Sequence, residues 1–119
     1  MMIFNLTQHQ LIARQGKMAR TYFERFRGLI GTKSFGADDG LWIPKCQGVH
    51  TFGMAFPIDV VFLDPHKKVV GIRKDLLPNC VGPVFFAAHS VLEFAAGTIE
   101  RFHIGLGDHF SLVESEASK

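Results

Sequence analysis

At 119 residues, with 47% hydrophobic and 20% charged content, the chain has the size and balance of one ordinary globular domain with little room for a second. Its net charge of +2, split as +3 over the first sixty residues and −1 over the rest, lacks the clustered basic stripe of a nucleic-acid binder. No apolar run approaches the ~20 residues that span a membrane, and the N-terminus has no basic region followed by an apolar one, so the expectation is a soluble cytoplasmic protein without nucleic-acid or membrane partners.

Twelve Phe against one Tyr and one Trp point to a core built on aromatic bulk. Cys46 and Cys80, the only cysteines, read as free thiols in that compartment.

In chain order, residues 11–14 and 17–20 read as two short strands around a turn at Gln15-Gly16. Thr21-Tyr22-Phe23-Glu24 is a capping box: the Thr21 hydroxyl can accept from the Glu24 N–H while the Glu24 carboxylate reaches back to the Thr21 N–H. Phe23, Phe26 and Ile30 then recur at helical spacing beside Tyr22 and Leu29. Arg25 and Arg27 fall on the other side and Gly31 serves as terminator, which predicts a short amphipathic helix near residues 21–31. Residues 34–40 are a loop, and residues 40–43 a strand stopped by Pro44.

The β-branched and aromatic run from Ile58 to Leu63 predicts a central strand covered on both faces. Asp64-Pro65-His66-Lys67 is turn chemistry, and residues 68–73 return as the hairpin partner. Residues 90–96 form another strand ended by Gly97, residues 98–102 one helical turn, and residues 109–113 a last strand before a polar tail, 114–119, expected to fray. Many short strands with one real helix predict a mainly β domain of α+β tendency, a compact antiparallel sandwich or partly open barrel.

Four blocks carry a family resemblance. They are Arg27-Gly28-Leu29-Ile30, then Gly40-Leu41-Trp42-Ile43, then His50-Thr51-Phe52-Gly53-Met54 running into Pro57-Ile58-Asp59-Val60-Val61-Phe62-Leu63-Asp64, and last Val91-Leu92-Glu93 with Gly97 and Gly107-Asp108. In this order, over residues 20–113, the chain resembles the small bacterial and archaeal family catalogued as domain of unknown function 192. The resemblance implies a compact, mostly β domain and no reaction, substrate or catalytic residue. Many relatives have an export signal ahead of the domain, which this chain is expected to lack. Many also carry Trp-Met-Lys-Asn-Thr where this chain has His50-Thr51-Phe52-Gly53-Met54.

The segment Cys46–Asp64 sets a thiol, an imidazole, a hydroxyl and a carboxylate among apolar residues, where an unpaired buried polar group costs about 1–3 kcal/mol. Cys46 and His50 supply two ligands where zinc takes three or four, with Asp59 or Glu93 as the conceivable third. Pro44, Gly48 and Gly53 oppose the helix that would face Cys46 and His50 one way, so neither metal nor cofactor is expected. A Cys46 nucleophile with His50 or His103 as base lacks any marked oxyanion hole or activating helix terminus.

Alternation puts Asp59 on the face of Val61 and Leu63, opposite Ile58, Val60 and Phe62, with His50 and Thr51 as its nearest expected partners. Glu93 shares a face with Val91 and Ala95 and could pair with Arg27, Arg73 or Arg101. Each carboxylate is either a structural anchor or a ligand contact. Asp108 reads as a turn residue bonding its own backbone, and His9, His66 and His109 as exposed or turn histidines. The apolar segment 76–88 either folds as a lid over the core or offers a contact surface at Val84, Phe85 and Phe86.

The resulting expectation is a small-ligand-binding domain. Its pocket would use Cys46, His50, Thr51, Asp59 and Glu93, with Trp42 and Met54 as apolar wall. The alternatives are a hydrolytic or metal-assisted enzyme using His50 and Asp59, and a protein-interaction module using the loop 81–88.

Overall fold

In the computed structural model the described residues are 1–114, with the side chains of Tyr22 and Phe23 set aside; the tail expected to fray lies, from residue 115 on, outside them. In chain order the elements are β1 (Met2–Asn5), β2 (Gln10–Ala13), β3 (Gln15–Met18), α1 (Tyr22–Arg27), β4 (Asp39–Pro44), β5 (Gly48–His50) and β6 (Ile58–Leu63). They continue as β7 (Val69–Leu76), β8 (Val81–Val84), β9 (Ser90–Ala95), α2 (Thr98–Arg101) and β10 (Phe110–Val113). A five-stranded sheet, β3-β4-β9-β6-β7, is antiparallel except where β3 runs parallel to β4. A three-stranded sheet, β10-β1-β2, and a two-stranded ribbon, β5-β8, complete the mainly β fold, which does not close into a barrel.

The alternation of β6 and β9 fixes the layering. Every residue of β6 is buried, because the strand has a neighbour on each side and a layer on each face. Val61, Leu63, Leu92 and Phe94 point into one core, closed by Ile3, Ile12 and Phe110 of the three-stranded sheet and Ile99 of α2. Ile58, Val60, Phe62 and Val91 point into the other, with Leu41 and Ile43 of β4, and there Leu29, Met54 and Ala88 form the cover. The domain is therefore a layered sandwich in which two faces of one sheet have different covers.

Several local expectations hold. Asp64 accepts the Lys67 N–H at its carbonyl and the His66 and Lys68 N–H groups at its side chain, so the predicted turn closes the β6–β7 hairpin. The Thr21 hydroxyl accepts from the Glu24 N–H at 3.0 Å, as a cap should. The Glu24 carboxylate, however, accepts from the Arg20 N–H rather than that of Thr21.

Other expectations are corrected. The helix stops at Arg27, because Gly28 takes φ 52° and ψ −121°, a backbone that only glycine adopts readily, so Gly31 is not the terminator. Phe26, placed by spacing on the apolar face, is 75% exposed. Residues 11–20 hold two strands but no hairpin: β2 pairs with β1 in one sheet, and β3 passes into the other sheet beside β4. The strands β1, β5 and β8 were not anticipated. Within the apolar segment 76–88, the Phe85 ring lies 4.6 Å from that of Phe62, over the bare Cα of Gly71, where a Cβ would approach the ring to 2.6 Å. Phe85 is thus a lid residue, whereas Val81, Val84 and Phe86 stay exposed.

Candidate functional site

Glu93 belongs to β9, between Leu41 of β4 and Val60 of β6, so the pleat drives its side chain into the apolar layer below α1 and β5. The residue is 2% exposed, and its Oε1 has no hydrogen-bond partner among the described residues. The arginine pairing expected from the sequence is not formed at that oxygen. Burial alone pushes the Glu93 carboxyl up to about 8, since a charge in low-dielectric surroundings is disfavoured.

Glu93 forms the floor of a cleft of about 190 Å³ between α1, β4, β5 and β9. Leu29 and Ile43 give it apolar sides, and Gly28 brings its backbone over the carboxyl; a Cβ there would stand 3.4 Å from Oε1. Cys46, Arg25 and His50 complete the wall.

The Cys46 thiol donates to the Gly48 carbonyl at 2.9 Å. Burial pushes the thiol up, the Gly48 bond lowers it, nearby Glu93 raises it and Arg25 pulls it down, the net direction being upward. A thiol held protonated in this way is not an activated nucleophile. The His50 ring lies against the rings of Phe26 and Phe52, with centroids 5.9 and 5.5 Å away, and its Nδ1 accepts the Phe52 N–H at 3.3 Å. Exposed Phe26 lines the cleft together with His50, and half-exposed Phe52 lies against the same imidazole.

The remaining expected site residues lie elsewhere. Asp59 faces the opposite core, and neither His50 nor Thr51 is its hydrogen-bond partner. Its Oδ1 accepts the Asp75 N–H at 2.8 Å; its Oδ2 accepts those of Gly97 and Ile99 at 3.1 and 2.8 Å. Asp59 thereby caps α2, whose own N-cap residue, Gly97, has no side chain to do so. The Thr51 hydroxyl donates to the Leu77 carbonyl and accepts the Cys80 N–H, pinning the segment before β8. Met54 is a core residue on the cleft's face of the sheet, and Trp42 packs on the far face with the Lys67 ammonium 5.7 Å from its ring.

Of the seven expected ligand contacts, Cys46, His50 and Glu93 come together in one cleft. Arg25, Phe26, Gly28 and Leu29 also line it, none of them among the expected contacts. Their signal was present: Gly28-Leu29 falls in a family block, and Phe26 stands in the apolar stripe, where spacing alone could not tell a core ring from one at a cleft mouth.

No group of three or more potential metal ligands gathers among the described residues, and Cys46 and Cys80 are free thiols. Asp108, read as a turn residue, accepts the Gly105 N–H and also accepts from the side chains of Asn5 and Gln8. A shallower hollow of about 590 Å³ near Arg14, Asp38 and Arg101 is lined largely by exposed side chains and has no buried, unpartnered group on its surface. No helix among the described residues is long and apolar enough to cross a membrane.

The sequence profile of domain of unknown function 192, described as Uncharacterized ACR, matches residues 4–112. A UPF0127 protein of Thermococcus sibiricus is 30% identical over 122 residues, covering 98% of this chain and 79% of its own length. A UPF0127 protein of Thermococcus kodakarensis is 29% identical over 119 residues, covering 97% and 75%. A crystal structure of a protein of unknown function from Novosphingobium aromaticivorans matches with a TM-score of 0.80 at 20% identity. It covers 93% of this chain and 82% of that one, a likeness of fold alone.

Proposed function

We propose that this chain, which belongs to the family of domain of unknown function 192, is a cytoplasmic small-ligand-binding domain whose receiving site is the cleft floored by Glu93. One observation carries the reading: a carboxyl oxygen without a partner among the described residues, buried in a cleft lined by α1, β4, β5 and β9. An unsatisfied buried acceptor costs about 1–3 kcal/mol. The β7 strand and the start of α2 together supply three backbone donors to Asp59, and no described residue supplies one to this oxygen. A ligand that brings a donor removes the deficit.

The cleft, at about 190 Å³, is below the roughly 300–1,000 Å³ of drug-sized pockets. Its ligand is accordingly small, or enters by one end. Cys46 and His50 belong to the wall, while Asp59, Thr51 and Trp42 support the fold. Acid–base catalysis by His50 with Asp59 is disfavoured, because both Asp59 oxygens are committed to amides of β7 and the α2 start on the other face.

The exposure of Val81, Val84 and Phe86 favours a second reading, in which the 81–88 segment meets a protein partner. Amide NMR spectra recorded against mixtures of small polar molecules test the two together. The expected result is shifts at Gly28, Cys46, His50 and Glu93. Shifts confined to residues 81–88, or to the Asp59 side of the sheet, would contradict the cleft reading.

A further inference from the structure

We infer that the cleft receives a positively charged nitrogen group, a primary ammonium or a guanidinium, carried on an apolar stem; the inference rests on the binding reading above. The floor offers an open acceptor, Glu93 Oε1, while the Cys46 thiol of the same cleft is spent on the Gly48 carbonyl. Leu29 and Ile43, both nearly fully buried, match an apolar stem. On the wall Phe26 presents an exposed aromatic ring beside His50, a ring face of the kind that attracts cations.

The arginines of the cleft do not fill this role from within. Arg27 turns its guanidinium outward, with Nε donating to the Ile30 carbonyl at 2.9 Å. Arg25 exerts its pull on the Cys46 thiol, whereas the displacement of Glu93 comes from burial alone. A bound cation reverses that displacement, so Glu93 gives up its proton as the ligand enters. Binding then releases a proton below pH 8 and strengthens as pH rises, about tenfold per unit at most, levelling above pH 8.

Four probes of one length distinguish the chemistries: n-butylammonium, n-butylguanidinium, butyrate and n-butanol. They are titrated by calorimetry at pH 6.5 and 8.5, in buffers of different ionisation heat. The two cations are expected to bind with proton release at pH 6.5 and more tightly at pH 8.5. Glu93→Gln is expected to weaken them at least tenfold and to abolish the pH dependence. Should that variant fold poorly, Phe26→Ala, at an exposed position on the wall, is expected to weaken the cations severalfold while leaving n-butanol unaffected. Preference for butyrate, paired with Arg25, or affinity falling as pH rises would overturn the cationic ligand while leaving the cleft a binding site. Absence of binding by both cations would overturn it as well, and the amide shifts with other polar molecules then decide separately whether the cleft binds at all.

Discussion

Asp59 and Glu93 are two buried carboxyls on adjacent strands of one sheet, one register position apart and on opposite faces. Asp59 receives three backbone N–H groups and ties β6 to β7 and to the start of α2. Glu93 has an oxygen that receives nothing, below a cleft. Both carboxyls are buried; the supply of donors differs. A carboxylate whose donors come from the fold is an anchor, and one whose donors must come from outside is a recognition group.

The largest effect that could break the comparison is at the anchor. Asp59→Ala orphans three amides and is expected to lower unfolding free energy by about 3–5 kcal/mol in urea titrations. A loss below about 1 kcal/mol would remove the distinction from that side.

The pH dependence of stability comes next. An unfolded Glu ionises near pH ~4.3, whereas folded Glu93 holds its proton to about 8. Between those values the folded state binds the extra proton. Stability therefore falls as pH rises through this window, by at most about 1.4 kcal/mol per unit, and the contribution is complete only at the acid end. Unfolding curves of the wild type and Glu93→Gln should accordingly diverge with rising pH, the variant being the flatter. Parallel curves would mean that Glu93 is satisfied in solution.

The smallest effect sharpens the contrast. At pH 5, where folded Glu93 keeps its proton, Glu93→Gln is expected to change stability by no more than about 1 kcal/mol, because the amide reproduces the shape of the neutral acid. A loss as large as that of Asp59→Ala would make Glu93 a second anchor.

Much of this contrast was legible in the sequence. Period-two alternation placed Asp59 with Val61 and Leu63, and Glu93 with Val91, on the faces they occupy. The Ile58–Leu63 strand and the Asp64 turn are equally local signals, and both form. What each carboxyl would meet was not legible, because its neighbours arrive from remote segments. Gly97 and Ile99 reach Asp59 from 38 and 40 positions away, and Gly28 comes to lie over Glu93 through the placement of α1. The same limit hid β1, which is held between β2 and β10 by pairings such as Met2 with Val113. The three-residue strand β5 gains its ladder only by meeting β8. Periodicity describes a face and contains no information about the cover that long-range pairing brings to it.

Glu93 thus presents a buried Oε1, unpartnered among the described residues, to an incoming donor. The most direct test is a pH titration of the Glu93 side-chain carboxyl carbon by NMR in ¹³C-labelled protein without ligand. The account predicts a midpoint near 8. A midpoint at or below the ordinary glutamate value, near pH ~4.3, would show that the fold already satisfies the carboxylate, and would contradict the account.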